Sequence, residues 1–170
     1  MSMGRIIKLA AISVARFSFG FNSLRLRKDR LGNIYRISEA GRFKIFRETV
    51  SRKEISEKPV VLVVGFRLKL IKSNPTFHWL FQRVCILTTP FWSGFRGFKV
   101  KLWMVDPDTK NYLGIYQWLG EPNTKNYIDF LTPVLQFFSL KNSIWHKIYP
   151  NTKLDDYLIG KQDAPRPSFE

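Results

Sequence analysis

Residues 95–119 read FRGFKVKLWMVDPDTKNYLGIYQWL, and this stretch decides the fold. Side chains of two kinds alternate through its first part, which is typical of a strand with two unlike faces. One face carries Phe98, Val100, Leu102 and Met104, and the other carries Lys99, Lys101 and Trp103. Residues 106–111 are rich in Asp, Pro and Asn, which favour a turn, and residues 112–119 predict a second strand. The stretch therefore predicts an antiparallel β-hairpin.

Strands and helices are predicted on both sides of this hairpin. Residues 60–70 predict a strand, and a helix follows over residues 75–90 after the cap sequence Ser73-Asn74-Pro75. Beyond the hairpin, residues 121–139 predict a second helix and residues 143–149 a last strand. The order strand–helix–strand–strand–helix–strand is that of ferredoxin-like βαββαβ folds. We therefore expect an α+β protein with an antiparallel four-stranded sheet and two helices on one face.

The other face of that sheet also needs cover, because apolar and aromatic side chains point to both sides of the hairpin. A two-fold homodimer would cover it with one set of residues. We expect this ferredoxin-like α+β domain over residues 59–158. A basic, apolar extension (1–28) and a connector with a short hairpin (29–58) precede it, and a flexible tail (159–170) follows it.

The charge of the chain is strongly positive. Lys and Arg number 28 and Asp and Glu number 13, for a net charge of +15. Such a surplus attracts phosphate groups, whether of nucleic acid or of anionic lipid. A single cysteine, Cys85, excludes an intrachain disulfide and a thiolate metal cluster, and burial as a small apolar group is its expected role.

The first 28 residues hold six basic side chains and no acidic one, with apolar residues between them. Lys8 and Arg16 interrupt the apolar run, which argues against a transmembrane helix. Three interpretations stay open for residues 4–28: an amphipathic helix on an anionic membrane, an organelle transit peptide, or a helix docked on its own domain or on a partner. The protein is expected to be cytoplasmic with peripheral membrane contact, and organelle targeting is the alternative.

Residues 94–103 (GFRGFKVKLW), residues 111–118 (NYLGIYQW) and Tyr127 on the next helix carry a resemblance. This pattern resembles the dimeric α+β barrel superfamily and, within it, the YdhR-like and antibiotic-biosynthesis-monooxygenase-like proteins. The resemblance covers about residues 60–158 and does not extend to residues 1–58. It implies a ferredoxin-like dimer with a ligand pocket between sheet and helices. The superfamily includes cofactor-free oxygenases, haem-binding proteins and isomerases, so the resemblance implies no single reaction.

Aromatic side chains supply the candidate site. We expect catalytic roles for His78 and Tyr116. The expected ligand-binding residues are Phe66, Trp92, Trp103, Trp118 and His146. Aromatic walls with one or two polar groups suit a planar apolar ligand. The alternative is an ordinary aromatic core, with His78 and His146 as hydrogen-bonded or surface residues.

Two classes of function follow. The first is a cofactor-independent, monooxygenase-like or ligand-binding protein for a planar aromatic or quinone-like compound. The second is a non-enzymatic binding or scaffold protein at a membrane surface or a nucleic acid, with nucleic acid disfavoured because a dimer would bury the basic, aromatic strand. No metal site is expected, since Asp106 and Asp108 suit a turn. No cofactor is expected either; haem is left open by the resemblance, but no haem ligand with polar partners can be matched.

Overall fold

The computed structural model describes residues 3–20, 24–37, 40–52, 58–69 and 75–163. Seven strands lie within these ranges: β1 Leu24–Arg27, β2 Ile34–Ile37, β3 Gly41–Ser51, β4 Pro59–Phe66, β5 Phe98–Val105, β6 Tyr112–Leu119 and β7 Trp145–Pro150. Five helices accompany them: α1 Met3–Gly20, α2 Pro75–Leu87, α3 Thr89–Ser93, α4 Glu121–Phe138 and α5 Leu154–Leu158. The chain is thus α+β, as predicted.

The centre of the sheet has the arrangement of a ferredoxin-like fold. Strands β5, β6, β4 and β7 lie side by side in that order, and each neighbouring pair is antiparallel. The hairpin β5–β6 and the order strand–helix–strand–strand–helix–strand were expected from the sequence.

The sheet is wider than the predicted four strands. β3 pairs with β5, and β1 and β2 both pair with the other edge of β3. Residues 29–58, expected to be a connector with a short hairpin, therefore contribute strands to the same sheet. Strands β2 and β3 pair with each other within residues 29–58, but the pairing of β3 with β5 joins residues far apart in the chain.

A second difference concerns α2, the helix that was expected to run over residues 75–90. It ends at Leu87, and a separate short helix, α3, follows with Pro90 in its first turn. Proline cannot donate a hydrogen bond to the preceding turn, so it stops one helix and fits the start of the next.

A β-bulge in β5 changes which residues share a face. Phe98 is opposite Trp118, but Val100 is opposite Gln117, so Lys99 is an extra residue in β5. The bulge places Phe98 on the same side as Lys101 and Trp103, not with Val100 as the alternation predicted. This side faces α1 to α4 and is called the helix side below.

The helix side holds an aromatic core. Its buried members come from β4, β5, β6 and the helices packed on them: Leu62, Val64, Cys85, Trp92, Phe98, Trp103, Tyr116, Trp118, Tyr127 and Phe130. Helix α1 packs against this core through Ile6, Leu9 and Ala10.

Helix α1 is docked on α3. The Ser13 hydroxyl is buried and donates a hydrogen bond to the Pro90 carbonyl oxygen at 2.9 Å. Of the three interpretations of residues 4–28, the structure shows the docked helix, but only over Met3–Gly20, because Leu24–Arg27 form strand β1. No described helix has an apolar stretch long enough to cross a membrane.

The opposite side, called the α5 side, is covered within one chain. Val61, Leu102 and Ile115 of the sheet are fully buried there, in one core with Tyr35 and Ile37 of β2 and with Leu154, Tyr157 and Leu158 of α5. The dimer was predicted because this side of the sheet was expected to lack cover in a single chain. Since β2 and α5 of the same chain cover it, this reason for a dimer does not apply. The dimer itself stays a prediction, which sedimentation velocity at micromolar concentration would test.

The end of the chain closes the α5 side. The Arg36 amide donates to the Lys161 carbonyl at 2.7 Å, and the Asp163 amide donates to the Ile34 carbonyl at 2.8 Å. Residues 161–163 thus lie along β2, and residues 164–170 of the predicted flexible tail are outside the described residues. An ion-pair cluster strengthens this closure, because Arg30 contacts both the buried Glu48 and Asp155 of α5.

Candidate functional site

A buried lysine lies in the middle of the helix-side aromatic core. Lys101 of β5 is 1% exposed. Its amine nitrogen is 3.1 Å from the centre of the Trp103 ring, and the centres of the Trp92 and Tyr116 rings are 4.5 and 4.7 Å away. No carboxylate of the described residues forms an ion pair with it.

Burial lowers the pKa of Lys101 well below its usual value, because the ammonium loses its hydration shell. A thiolate at the nearby Cys85 would oppose this shift, and the positive charge of Arg47 reinforces it. The ring faces attract a cation, which also opposes the shift. Desolvation is the largest of these effects, so the Lys101 ammonium releases its proton more readily than a solvated lysine does.

Cys85 of α2 belongs to the same cluster. It is 2% exposed, and burial raises the pKa of its thiol to about 12, although the charges of Lys101 and Arg47 act in the opposite direction. Cys85 is therefore a thiol, not a thiolate, as expected for a small buried apolar group.

We predict that native Cys85 resists Ellman's reagent at pH 8. A pKa shift from 9.0 to about 12 lowers the thiolate fraction about a thousandfold, and burial restricts access further. The measurement compares reaction rates in buffer and in concentrated urea, and the signal is unambiguous because the chain has one cysteine. A native rate within about tenfold of the unfolded rate would show instead that the thiolate is stabilised or that α2 opens readily.

Two tyrosine hydroxyls meet beside the lysine. Tyr127 of α4 donates a hydrogen bond to the Tyr116 hydroxyl oxygen at 3.2 Å, and both residues are buried. Burial raises the pKa of both phenols, so both stay protonated. Because Tyr116 accepts from Tyr127, its own hydroxyl hydrogen is free to be donated to another acceptor.

Gly114 makes room for the Tyr116 ring. A Cβ atom at Gly114 would lie 2.8 Å from a Tyr116 ring carbon and 3.0 Å from its hydroxyl oxygen. The sequence pattern Gly-x-Tyr is thus explained by close packing, since any larger residue would displace Tyr116.

Three indole N–H groups of this core have no hydrogen-bond partner among the described residues. They belong to Trp92, Trp103 and Trp118. Each buried, unsatisfied donor costs about 1–3 kcal/mol. A ligand with oxygen acceptors placed among these rings would recover part of that free energy.

A cleft of about 310 Å³ lies beside the cluster. Phe46 and Arg47 of β3 and Trp79 and Arg83 of α2 are among its walls. Phe46 connects the cleft to the core, since its ring centre is 6.3 Å from that of Trp103. Arg47 is half-buried and has no ion pair with a described carboxylate, so the cleft is both aromatic and cationic.

A second cleft, of about 340 Å³, lies at the end of the α5 side between β7, β2 and α5. Trp145 and His146 are among its walls. The Trp145 ring lies over Gly65, where an added Cβ would be 2.3 Å from it. His146 is exposed and belongs to this cleft rather than to the lysine cluster.

The structure brings together four of the seven predicted site residues: Trp92, Trp103, Tyr116 and Trp118. Phe66 is nearby and stacks on Tyr112, with ring centres 6.0 Å apart. His146 lies elsewhere, and the side chain of His78 is outside what the structure describes. In the described residues no three His, Cys, Asp or Glu side chains could hold a metal ion.

Lys101 is the residue that sequence reasoning did not select. It was visible on the same face as Trp103, but a lysine in an alternating strand normally indicates a solvent face. Lys101 and Trp103 are both buried, so neither side chain belongs to an exposed basic, aromatic surface.

Comparison with known proteins adds little to this geometry. No protein-family model matches the chain, and no curated protein matches it. Among solved structures, it is similar to an uncharacterized ferredoxin fold protein related to antibiotic biosynthesis monooxygenases from Listeria monocytogenes 4b F2365. That similarity has 12% identity and a TM-score of 0.45, and it covers 77% of this chain and 93% of the other. Function must therefore be inferred from the site itself.

Proposed function

We propose that this protein binds a planar aromatic or quinone-like compound between the sheet and the helices and oxidises it in a cofactor-independent, monooxygenase-like reaction. The observation that carries the proposal is Lys101, a buried amine among aromatic rings without an acidic partner in the described residues. A cleft with Phe46 in its wall lies beside this core, since the Phe46 ring centre is 6.3 Å from that of Trp103. Flat aromatic ligands fit such walls, and the unpartnered indole N–H groups supply donors for ligand oxygens.

The reaction needs a base and a hydrogen-bond donor. The Lys101 amine removes a proton from an acidic methylene flanked by aromatic rings, and the Tyr116 hydroxyl donates to the oxyanion that forms. The electron-rich anion then reduces O₂ and forms a carbon–oxygen bond. The methylene becomes a carbonyl, one oxygen atom enters it, and the other leaves as water with both hydrogens. The substrate supplies all four electrons, so no external reductant is needed.

The test uses anthrone, a flat tricyclic ketone with an acidic methylene, and the full-length protein. Binding is followed by quenching of tryptophan fluorescence, and turnover by O₂ uptake and by formation of anthraquinone. We expect equal amounts of O₂ consumed and quinone formed. Lys101→Met should lower the rate constant about a hundredfold, which is typical for loss of a general base. Tyr116→Phe should also lower it about a hundredfold, as expected for loss of one donor to the oxyanion.

Lys44→Met is the matched control, because Lys44 is exposed on the neighbouring strand β3. It should leave both rate and quenching unchanged. The oxidation is excluded if quenching occurs without O₂ uptake above that of buffer, which leaves a ligand-binding protein. If neither anthrone nor anthraquinone quenches the fluorescence, or if Lys101→Met quenches and reacts as the wild type does, the proposed site is wrong.

A further inference from the structure

Helix α2 is apolar on both of its faces. Phe81 and Cys85 point to the helix-side core, while Trp79, Leu80, Val84 and Leu87 are 57, 48, 42 and 73% exposed. A helix that is apolar all round is normally buried on all sides. One face of α2 therefore lacks cover in the described chain.

The exposed apolar surface continues beyond α2. Phe91 of α3 is 42% exposed, and α1, which packs on α3, exposes Ile7 and Ile12. All three helices lie on the helix side of the sheet, and α3 contacts both α1 and α2. The outer helix face consists of the exposed residues Trp79, Leu80, Val84, Leu87 and Phe91. Contiguous exposed apolar surface of this kind marks a binding site for a protein or a membrane.

The charges on the same helices are all positive. Arg5, Lys8 and Arg16 of α1 and Arg83 of α2 are exposed, and α1, α2 and α3 contain no acidic residue. The Arg83 guanidinium lies 5.1 Å from the centre of the Trp79 ring, so a cation and an amphipathic aromatic ring are presented together. Apolar side chains flanked by cations fit the interface of an anionic bilayer. The apolar side chains enter the acyl boundary, and the cations contact the lipid phosphates.

Two other occupants fit less well. A second copy of this chain would bring the same cations face to face across a two-fold axis, which is repulsive. A nucleic acid would leave the aliphatic side chains of Leu80, Val84 and Leu87 without apolar partners. We therefore propose that the outer helix face docks the protein on an anionic membrane surface. Trp79 and Arg83 of this face also line the cleft beside the lysine cluster, but the membrane proposal rests on exposure and charge and does not depend on the proposed oxidation.

The test is co-sedimentation of the full-length protein with extruded vesicles. One preparation is phosphatidylcholine alone, and the other contains about 30 mol% phosphatidylserine. We expect clear binding to the anionic vesicles, weak binding to the neutral ones, and loss of binding at high salt. The double variant Trp79→Ser, Leu87→Ser should weaken binding about tenfold or more, since both side chains lose their apolar contact with lipid. Arg83→Gln should weaken it about fivefold.

Two variants on the α5 side serve as matched controls. Ile159→Ser removes an apolar side chain that is 74% exposed, and Lys153→Gln removes an exposed cation next to α5. Both should bind vesicles as the wild type does. Circular dichroism melts check that all variants are folded, which we expect because every changed residue is exposed.

Three results would overturn the proposal. Equal binding to neutral and anionic vesicles would show that charge plays no part. Unchanged binding by the Trp79, Leu87 double variant would place the contact elsewhere. Absence of vesicle binding, together with self-association that this variant abolishes, would assign the face to a second copy of the chain.

Discussion

Lys101→Met is expected to make the folded protein more stable near neutral pH, by about 1–3 kcal/mol. Methionine has nearly the length of lysine and no polar group, so it fills the space among the Trp92, Trp103 and Tyr116 rings. The variant removes the cost of desolvating an amine that has no hydrogen-bond acceptor among the described residues. It should also lose the activity proposed above, so that stability and function change in opposite directions.

The pH dependence of stability separates this effect from ordinary repacking. The unfolded chain holds the Lys101 proton up to its usual pKa, whereas burial makes the folded chain release it at lower pH. Between these two pKa values the unfolded state binds one more proton, so wild-type stability rises with pH by about 1.4 kcal/mol per unit from this group. Below the folded pKa the contribution is flat.

Urea unfolding of the wild type and Lys101→Met at several pH values below 8.5 measures the difference. That limit avoids Cys85, whose raised pKa lowers folded stability once the unfolded thiol ionises. The stability gain of the variant should shrink as pH rises, and Lys44→Met should show no such trend. A variant that is less stable than the wild type, with the same slope, would mean that the ring faces hold Lys101 as a cation.

Gly94→Ala is expected to separate α1 from the rest of the protein or to destabilise the whole chain by about 3 kcal/mol. The backbone of Gly94 is right-handed helical, with φ −80° and ψ −10°, so alanine is allowed there by its dihedral angles. The obstacle is steric, because an added Cβ would lie only 1.8 Å from the Ser13 carbonyl oxygen. The atoms that clash at Gly94 and Ser13 belong to backbone or well-packed groups, so α1 and α3 must move apart.

Gly4→Ala is the matched control for this substitution. An added Cβ at Gly4 meets nothing within 4 Å, and alanine favours a helix by about 1 kcal/mol over glycine. Urea unfolding gives the stability, and the rate of trypsin cleavage after Lys8 and Arg16 shows whether α1 is detached. If Gly94→Ala matches the wild type in both, α1 does not rest on α3, and the membrane or targeting interpretation of residues 4–28 gains weight.

The parts of the fold that were predictable are those encoded by local patterns. The β5–β6 hairpin follows from the alternation and the turn residues of one stretch of 25 residues. Helix α4, predicted over residues 121–139, begins at Glu121 as expected. The bulge at Lys99 was not predictable, because apolar residues alternate without interruption at Phe98, Val100, Leu102 and Met104 in the sequence. The pairing of β3 with β5 was missed because it depends on contacts between distant parts of the chain.

In the candidate site, too, local patterns were predictable and contacts between distant parts of the chain were not. Tryptophan and tyrosine on the strands correctly indicated an aromatic layer, because large rings seldom stay exposed. Lys101 was missed because its burial depends on α2 and α3 closing over it, and these helices are distant from it in the chain or outside its strand pattern. His146 was selected for its chemistry alone, and its position on the edge strand β7 places it in another cleft.

The pairing of residues 161–163 with β2 has a consequence for synthesis of the protein. Strand β2 belongs to the amino-terminal quarter of the chain, yet its outer edge and the core beneath it are completed by α5 and by the strand-like segment after it. While the ribosome is still making the central hairpin, Tyr35 and Ile37 have no helix to pack against. The α5 side therefore closes late, and the emerging amino-terminal strands must stay unaggregated until residues 154–163 have left the exit tunnel.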